Sequence, residues 1–457
     1  MRPGEIRPDI GPEIRPVTRR HALKTAALAT TALIAAPYVR GAHAAGRLSI
    51  GFWDHWVPGG NNASKALVEE WAAKEKVDVT IDYIPSQGMK NLITIAAESQ
   101  ARSGHDIFAF PSWQPHGHAE SLEPVNDIMD ELIKQNGAVN ETVKYLGFSN
   151  GKWLVVPATV GSQIKGPCSR IDLFKNYAGI DLQAMYPAGA PPKADGWTLE
   201  TFLQAAQACH KGGYPFGIGL GTTSDSVDSA GAFMHAFGAA LVDAKGNITV
   251  KTDPVRQWLD YYKKLAAFMP PDIPAWDDAS NNKWLISGRG ALIMNPPSAW
   301  AVAKRDNPKV AENCWTHPMP RGPKGRFVGQ LPQFYGLWKF SQNKSAAKDL
   351  LLHISQRDSV RQLVAASIGY DLPSFKSLYD FETWKTVEPP VGTVYSYPPR
   401  GDEVTSIAGA PARSDVGAQI YNQAINTVMV AKFTQGNEKL EDVIKWAERE
   451  LEGTLRA

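Results

Sequence analysis

The sequence predicts an α/β protein of two domains, and three features lead to this prediction. The chain has 457 residues, which is more than one hydrophobic core usually holds. Residues 47–84 read as strand, loop, helix and strand, the order that builds a right-handed parallel unit. The order continues beyond it, because a helix over residues 89–102 is followed by a strand over residues 104–110.

The first 44 residues have the features of an export signal. Arg19 and Arg20 form a twin-arginine pair, an Ala-rich apolar run covers residues 25–37, and Ala42 and Ala44 are small residues that suit a signal peptidase. We therefore expect export by the twin-arginine route, cleavage after Ala44 and a periplasmic location. A retained membrane anchor is the less favoured alternative, because the apolar run is shorter than the roughly 20 residues that span a bilayer.

The charge of the chain bears on its binding partners, and its cysteine content bears on disulfide bonds. The chain carries 48 Lys and Arg against 46 Asp and Glu, and its formal net charge is +2. This balance gives no reason to expect binding to nucleic acid or to an anionic surface. The three cysteines exclude a full disulfide framework and leave one bridge open, and we expect them to be buried apolar residues. No metal or other cofactor is predicted.

The first predicted strand ends in a loop that carries candidate ligand contacts. Residues 54–62 form a Gly-rich loop, and a helix is expected over residues 63–75. Trp56 and Asn61 lie in this loop, whereas Trp53 before it either enters the core or faces the ligand. An indole suits the C–H face of a sugar ring, and amides suit its hydroxyl groups.

The loop over residues 111–118 supplies a second group of candidates. It follows the strand over residues 104–110 and begins with Ser112 and Trp113. Ligands of open α/β sheets bind beyond the carboxyl ends of the strands, so both side chains are expected at the ligand. The two histidines of this loop lack a third ligand, so solvated histidines are expected and not a metal pair.

Two further strand ends carry one candidate each. A strand over residues 214–220 precedes a hydroxyl-rich loop with Asp225, and the next helix is expected from residue 229. A buried strand over residues 291–294 ends at an Asn-Pro-Pro sequence, because proline cannot donate a hydrogen bond to the sheet. Trp300 follows in the predicted loop and is a candidate for stacking on the ligand.

The stretch over residues 281–300 also resembles a known family. Its order of helix, small residue-Gly-basic residue-Gly, strand, loop and Trp is similar to the signature of extracellular solute-binding proteins of ABC transporters. The sugar-binding branch, which includes the maltose-binding proteins, is the most similar. Residues 104–110 and 343–347 resemble further motifs of the family, in the family's order, and the resemblance covers nearly the whole chain after the export signal.

The resemblance implies a two-lobed periplasmic-binding-protein fold, in which each lobe is a mostly parallel sheet flanked by helices and a hinge joins the lobes. The N-terminal lobe would comprise residues 45–157 plus 330–375, and the C-terminal lobe residues 158–329 plus 376–457. Residues 327–338 resemble the strand that returns to the first lobe, and residues 366–373 resemble a turn near the ligand. These two matches imply four more ligand contacts, namely Gln330, Gln333, Tyr335 and Tyr370.

The implied function is that of the substrate-binding component of an ABC importer. Such a monomer captures a small solute, here a sugar or oligosaccharide, between its lobes and delivers it to the membrane permease. The alternative is a polyamine or another cationic or zwitterionic solute, with Trp faces for cation–π contacts and Asp54 and Asp225 as counter-charges. A secreted glycoside hydrolase is less favoured, since that chemistry needs two carboxylates across a cleft. No hydrolase, metalloprotease or P-loop motif is present, and no catalytic residue is assigned.

Overall fold

The computed structural model describes residues 46–277, 279–294, 296–387 and 399–456. The predicted export signal, residues 1–44, lies outside the described residues. Within the described part, every helix is too short or too polar to cross a membrane. The three cysteines are buried and free, so their predicted burial is confirmed and the bridge left open is not formed.

The larger of two main sheets contains the first strands of the chain. Its strands are β1 (Arg47–Trp53), β2 (Asp78–Ile84), β3 (Ile107–Pro111), β6 (Val156–Lys165), β11 (Arg326–Leu337) and β12 (Glu403–Ser406). Their order is β12-β11-β3-β1-β2, with β6 paired to β11 outside this path. β1 is parallel to β2 and β3, which confirms the predicted parallel unit, whereas β11 is antiparallel to β3 and β6.

The smaller main sheet is built from the middle of the chain. Its strands are β7 (Pro167–Arg170), β8 (Phe216–Gly217), β9 (Leu292–Met294) and β10 (Cys314–Thr316), in the order β10-β7-β9-β8. β8 and β9 are parallel, and β7 is antiparallel to β9 and β10. A separate two-stranded hairpin consists of β4 (Phe148–Ser149) and β5 (Lys152–Trp153). Both main sheets are flanked by helices, as expected for an α/β fold.

The helices of the first half of the chain are α1 (Pro58–Glu75), α2 (Lys90–Ala101), α3 (Gln114–Gly117), α4 (Asn126–Asn136), α5 (Glu141–Gly147), α6 (Ile171–Leu173), α7 (Leu182–Met185), α8 (Leu199–Lys211) and α9 (Ser224–Ala236). Those of the second half are α10 (Asp253–Ala266), α11 (Ser280–Ile286), α12 (Pro296–Asp306), α13 (Pro308–Ala311), α14 (Lys344–Ile354), α15 (Arg357–Ala366), α16 (Thr383–Thr386), α17 (Ser414–Asn422), α18 (Ile425–Thr434) and α19 (Leu440–Arg456). Buried apolar side chains of these helices and of both main sheets form the core.

Three of the predicted loops contain the first turn of a helix. α1 begins at Pro58 and α12 at Pro296, because proline suits the first turn of a helix, where its missing N–H costs nothing. α9 begins at Ser224, since the side chain of Thr223 accepts the N–H of Ser226 and caps the helix. The predicted starts at residues 63 and 229, and the loop predicted around Trp300, were therefore wrong.

A capping box fixes the start of α8. The side chain of Thr198 accepts the N–H of Thr201 at 3.3 Å, and the Thr201 hydroxyl accepts the N–H of Thr198 at 2.8 Å. Thr201 takes the place where Glu or Gln usually closes such a box.

Substitutions of Thr198 test whether its hydroxyl group caps α8. Thr198→Ala should lower the free energy of unfolding by about 1 kcal/mol, because it leaves a helix N–H without its acceptor. Thr198→Ser keeps the hydroxyl and should retain most of that stability. Urea denaturation of the two variants measures the difference, and equal losses in both would contradict the capping role.

Candidate functional site

A cavity of about 570 Å³ lies where strands of the larger sheet meet the N-terminus of α9 and the end of α17. Small-molecule sites of proteins usually have this size. Indole, phenol and aliphatic side chains line part of the cavity, and hydroxyl, amide and carboxyl groups line the rest. The cavity is therefore suited to a ligand that has both apolar faces and hydrogen-bonding groups.

Six of the ten predicted contact residues line this cavity, namely Trp56, Ser112, Trp113, Asp225, Gln333 and Tyr370. They come from positions more than 300 residues apart in the sequence, and the fold brings them together. Trp56 is half-buried, whereas Trp113 is almost fully buried and donates its indole N–H to the carbonyl of Ala408. That these six contact a ligand remains a prediction.

Two predicted residues lie outside the cavity because their surroundings are helical. Asn61 belongs to the first turn of α1, where its side chain accepts the N–H of His55 at 3.0 Å and donates to Asp54 at 2.8 Å. Trp300 is fully buried on α12, with the Lys304 ammonium 5.0 Å from its ring centroid. Asn61 thus closes the turn after β1, and Trp300 packs in the core, so neither stands at the predicted cleft.

The other two residues outside the cavity, Gln330 and Tyr335, both lie on β11. Alternate side chains of a strand point to opposite faces, and Leu331 and Gln333 are the β11 residues that reach the cavity. Gln330 is therefore on the wrong face and is buried. Tyr335 is two residues beyond Gln333 on β11 and therefore on the same face, but it pairs with Ala109 of β3 inside the sheet and is also buried. The structure therefore does not bring these two residues to the cavity.

The cavity also contains polar residues that the sequence did not single out. Gln163 of β6 and Tyr421 and Asn422 of α17 all line it. Gln163 is nearly fully buried, and its side-chain oxygen has no hydrogen-bond partner. The available signal for Gln163 was its polar side chain, because it lies in a strand that is buried along its whole length. Tyr421 and Asn422 gave no local signal, because they sit in an ordinary amphipathic helix.

A bulge in β6 places the backbone of Gly161 at the wall of the cavity. Ala158 is opposite Gln333, whereas Gln163 is opposite Leu331, so β6 has extra residues between these two pairs. Gly161 lies in the bulge with φ +82°, a left-handed conformation that favours glycine. A Cβ atom there would lie 2.8 Å from the Trp53 ring and 3.0 Å from Gln333.

A buried carboxylate holds this bulge in place. The Oδ1 atom of Asp371 accepts the N–H of Gly161 at 2.7 Å and lies 3.0 Å from Nε2 of His55. The N–H of Val57 donates to Nδ1 of His55 at 2.8 Å. Because Nδ1 acts as the acceptor, the ring carries its proton on Nε2 and donates it to Asp371. We call this arrangement of His55, Asp371 and Gly161 the clamp.

The clamp also orders two aromatic rings of the cavity wall. The His55 ring lies 4.9 Å from the Trp53 ring and 4.6 Å from the Tyr370 ring, the latter in an edge-on orientation. Trp53 and Tyr370 both line the cavity, so the choice that the sequence left open for Trp53 resolves to a core residue with one side at the cavity. The clamp thus joins three segments of the wall, namely the end of β1, the bulge of β6 and the turn after α15.

A buried lysine neutralises the negative charge of two aspartates, one of which lines the cavity. Nζ of Lys165 lies 2.8 Å from Oδ1 of Asp225 and 3.0 Å from Oδ2 of Asp228, and it donates to Ser224 at 3.1 Å. The side-chain amide of Asn281 donates to the other oxygen of Asp225 at 2.9 Å. Both oxygens of Asp225 are therefore already engaged within the protein.

Burial and charge act in opposite directions on this cluster. Burial raises the pKa of Asp228 to about 6, although the Lys165 ammonium opposes the shift. Burial alone would lower the pKa of Lys165, but the carboxylates of Asp225 and Asp228 raise it above its ordinary value. Lys165 is consequently charged at neutral pH and pairs with both carboxylates.

The chain is similar to one known protein family and to several solved structures. Residues 66–389 match the family described as "Bacterial extracellular solute-binding protein". No curated protein sequence matches the chain. Among the described residues, no cluster of three or more His, Cys, Asp or Glu side chains is arranged to hold a metal ion.

Solved structures with low sequence identity share the fold. Maltose-bound MalE3 of T. maritima has 17% identity and a TM-score of 0.68, covering 89% of this chain and 99% of its own. The cyclic alpha-maltosyl-1,6-maltose binding protein of Arthrobacter globiformis has 17% identity and a TM-score of 0.68, with 90% and 99% covered. A sugar transporter from Arthrobacter chlorophenolicus A6 with bound laminaribiose has 16% identity and a TM-score of 0.67, with 90% and 99% covered. The predicted two-lobed α/β fold is confirmed, but the mostly parallel sheet predicted for each lobe is wrong for the smaller sheet, because β7 runs antiparallel to both of its neighbours.

Two glycines separate the effect of the bulge from general backbone strain. Gly161→Ala should weaken solute binding at least about tenfold, because the added methyl group displaces Trp53 or Gln333 at the cavity wall. Gly151→Ala is the matched control, since Gly151 has φ +77° but open space around its Cβ position. Both variants should lose stability from the left-handed backbone, by roughly 1–2 kcal/mol. Titration calorimetry measures the binding, and equal affinities of both variants would contradict the role of Gly161.

The raised pKa of Asp228 predicts a pH dependence of stability. A carboxyl group whose pKa is higher in the folded than in the unfolded protein stabilises the fold fully below its unfolded pKa, and this contribution is lost as the pH rises through about 6. Asp228→Asn removes this titration. The stability of the variant relative to wild type should therefore increase from about pH 4 to about pH 7, by at most roughly 3 kcal/mol. Urea denaturation at several pH values measures the difference, and a pH-independent difference would contradict the assignment.

Proposed function

Because the chain belongs to the bacterial extracellular solute-binding proteins, we propose that it is the substrate-binding component of an ABC importer. It captures a small solute in the cavity and delivers it to permease subunits in the inner membrane. It acts as a periplasmic monomer, exported by the twin-arginine route, and it binds its solute reversibly without chemical change.

The proposed movement is the closure of two lobes on the solute. A solute that contacts both lobes favours the closed form by its differential affinity for that form. We keep the lobe boundaries predicted from the sequence, residues 45–157 plus 330–375 and residues 158–329 plus 376–457. The smaller sheet lies within the second range, but β12 and most of β6, which belong to the larger sheet, come from that range as well. With these boundaries, the proposed crossings between the lobes include one near residues 158–165 and one near residue 403.

The proposed solute is a neutral sugar or oligosaccharide. The observation that carries this proposal is the side-chain oxygen of Gln163, which is buried at the cavity wall without a hydrogen-bond donor. Buried polar atoms of native proteins are nearly always paired, so an unpaired acceptor beside a cavity fits a ligand that supplies a hydroxyl group. Trp56, which is half-buried, offers a flat face for a ring nearby. The similar structures named above are a protein with bound maltose, a binding protein for cyclic alpha-maltosyl-1,6-maltose and a sugar transporter with bound laminaribiose.

The charges of the cavity make a polyamine the weaker candidate. Asp225 is the only acidic residue among the described residues that line the cavity, and its oxygens are engaged by Lys165 and Asn281. Asp54, the other proposed counter-charge, is exposed outside the cavity and accepts a hydrogen bond from Asn61. A cationic solute would therefore find no carboxylate without a partner in the cavity. A glycoside hydrolase would need a second carboxylate there.

A ligand screen tests the proposed solute class. Neutral mono- and oligosaccharides should raise the melting temperature, since a ligand at 100 times its Kd adds about 2.7 kcal/mol of stability. Putrescine and spermidine should leave it unchanged, and the bound sugar should be recovered intact after long incubation. Stabilisation by a polyamine and by no sugar would contradict the proposal, and release of a cleaved sugar would contradict the absence of catalysis.

Substitutions of two buried glutamines test whether the unpaired side-chain oxygen of Gln163 binds the sugar. Gln163→Leu should weaken binding of the sugar found in the screen roughly fivefold, because about 1 kcal/mol of hydrogen bonding is lost. The stability of the ligand-free variant should stay the same or rise, since a buried unpaired oxygen is removed. Gln330→Leu is the control, because Gln330 is also buried with an unpaired oxygen but lies outside the cavity. Calorimetry should show wild-type affinity for this control, and equal losses in both variants would contradict the role of Gln163.

A further inference from the structure

Some of the residues that line the cavity are apolar and at least partly exposed, and they cannot form hydrogen bonds with the hydroxyl groups of a sugar. Met89 and Leu92 line the cavity, and Ile93 follows on α2. Met89 is 61% exposed and Ile93 is 50% exposed. The other strongly exposed large apolar side chains of the described residues are Tyr177, Val404 and Leu455, which lie on other elements. Of these five side chains, Met89 is the one that lines the cavity, and we call Met89 and Leu92 the apolar mouth.

The backbone at the apolar mouth is unusual as well. Met89 precedes α2 with φ +58°, and Gly88 before it has φ +66°. Glycine adopts this left-handed conformation easily, whereas methionine does so with strain. Strained residues of this kind concentrate at ligand sites, where the surrounding structure enforces them. A methionine at this point places a flexible, polarizable side chain beside the cavity, and such a side chain adapts to ligands of different shape.

Polar residues also line the cavity. The N-terminal turn of α9 and the residues before it contribute Thr222, Thr223, Ser224 and Asp225, and α12 contributes Ser298. Trp56 and Pro111 line it as well and add to the apolar surface of Met89 and Leu92. The cavity therefore suits a solute that has both a hydrogen-bonding part and an apolar part.

We infer that the solute is a glycoside whose aglycone is an aryl or alkyl group, bound by Met89 and Leu92 at the apolar mouth. This inference rests on the proposed function, since it assigns the sugar part to the polar residues of the same cavity. The apolar mouth continues the apolar wall of the cavity, so a single ligand reaches both. Binding an aglycone removes the exposed side chain of Met89 from water and thereby adds to the affinity.

Matched pairs of ligands test the inference on the wild-type protein. The probes are methyl and phenyl glycosides of glucose, galactose, mannose and xylose, each as α and β anomers, measured by titration calorimetry. For the sugar that binds, the phenyl glycoside should bind at least about tenfold more tightly than the methyl glycoside, because its ring buries apolar surface. Equal affinity within each pair that binds contradicts the inference and leaves the proposed function intact. If neither member of any pair binds although a sugar of the ligand screen does, the inference is contradicted and the proposed function stands, whereas failure of every sugar in that screen contradicts both.

Variants of Met89 locate the preference at the apolar mouth. Met89→Gln has nearly the same length and should reduce the ratio of phenyl to methyl glycoside affinity from at least about tenfold to near one. Met89→Leu keeps an apolar side chain and should retain the preference. Leu455→Gln, on α19 away from the cavity, is the control for the loss of an exposed apolar side chain. An equal loss of affinity for both glycosides in Met89→Gln would overturn the inference, since Met89 would then act on closure and not on the aglycone.

Discussion

The hydrogen bonds of the Asp371 carboxylate determine the shape of the cavity. A single oxygen accepts the Gly161 N–H of the β6 bulge and the Nε2–H of His55, and the His55 ring supports Trp53 and Tyr370. All of these groups are buried, where an unmade hydrogen bond is expensive. The end of β1, the bulge of β6 and the turn after α15 are therefore fixed relative to one another before any solute arrives. A wall prepared in this way loses little conformational entropy on binding.

The second determinant is the charge balance at the N-terminus of α9. Lys165, at the end of β6, is paired with Asp225 and Asp228, and Ser224 and Asn281 complete the hydrogen bonds. The side chain of Asp225 at the cavity thus acts as an oriented acceptor and not as a free negative charge. Together with the unpaired oxygen of Gln163, this arrangement favours a neutral solute with hydroxyl groups. The clamp holds the bulge in the middle of β6 and the charge cluster holds its last residue, so β6 determines both shape and polarity.

The sequence predicts the fold better than the individual contacts. Strong periodic segments and the order of strands and helices were sufficient for the α/β architecture, and the residues at the carboxyl ends of β1 and β3 led to Trp56, Ser112 and Trp113. The failures have common physical causes. Helix starts at Pro58 and Pro296 moved Asn61 and Trp300 away from the predicted loops, because proline begins a helix as readily as it ends a strand. The contribution of Gln163 depends on a bulge whose register is set by tertiary pairing, and Tyr421 comes from a distant helix, so neither could be read locally.

The central claim is that the cavity between the clamp and the charge cluster is the solute site. A crystal structure of the protein with the sugar identified by the ligand screen tests this claim most directly. The account predicts one bound sugar in the cavity, with a hydroxyl group donating to the side-chain oxygen of Gln163 and a ring face on Trp56. A sugar bound elsewhere on the protein, with the cavity holding only water and Gln163 still unpaired, would contradict it.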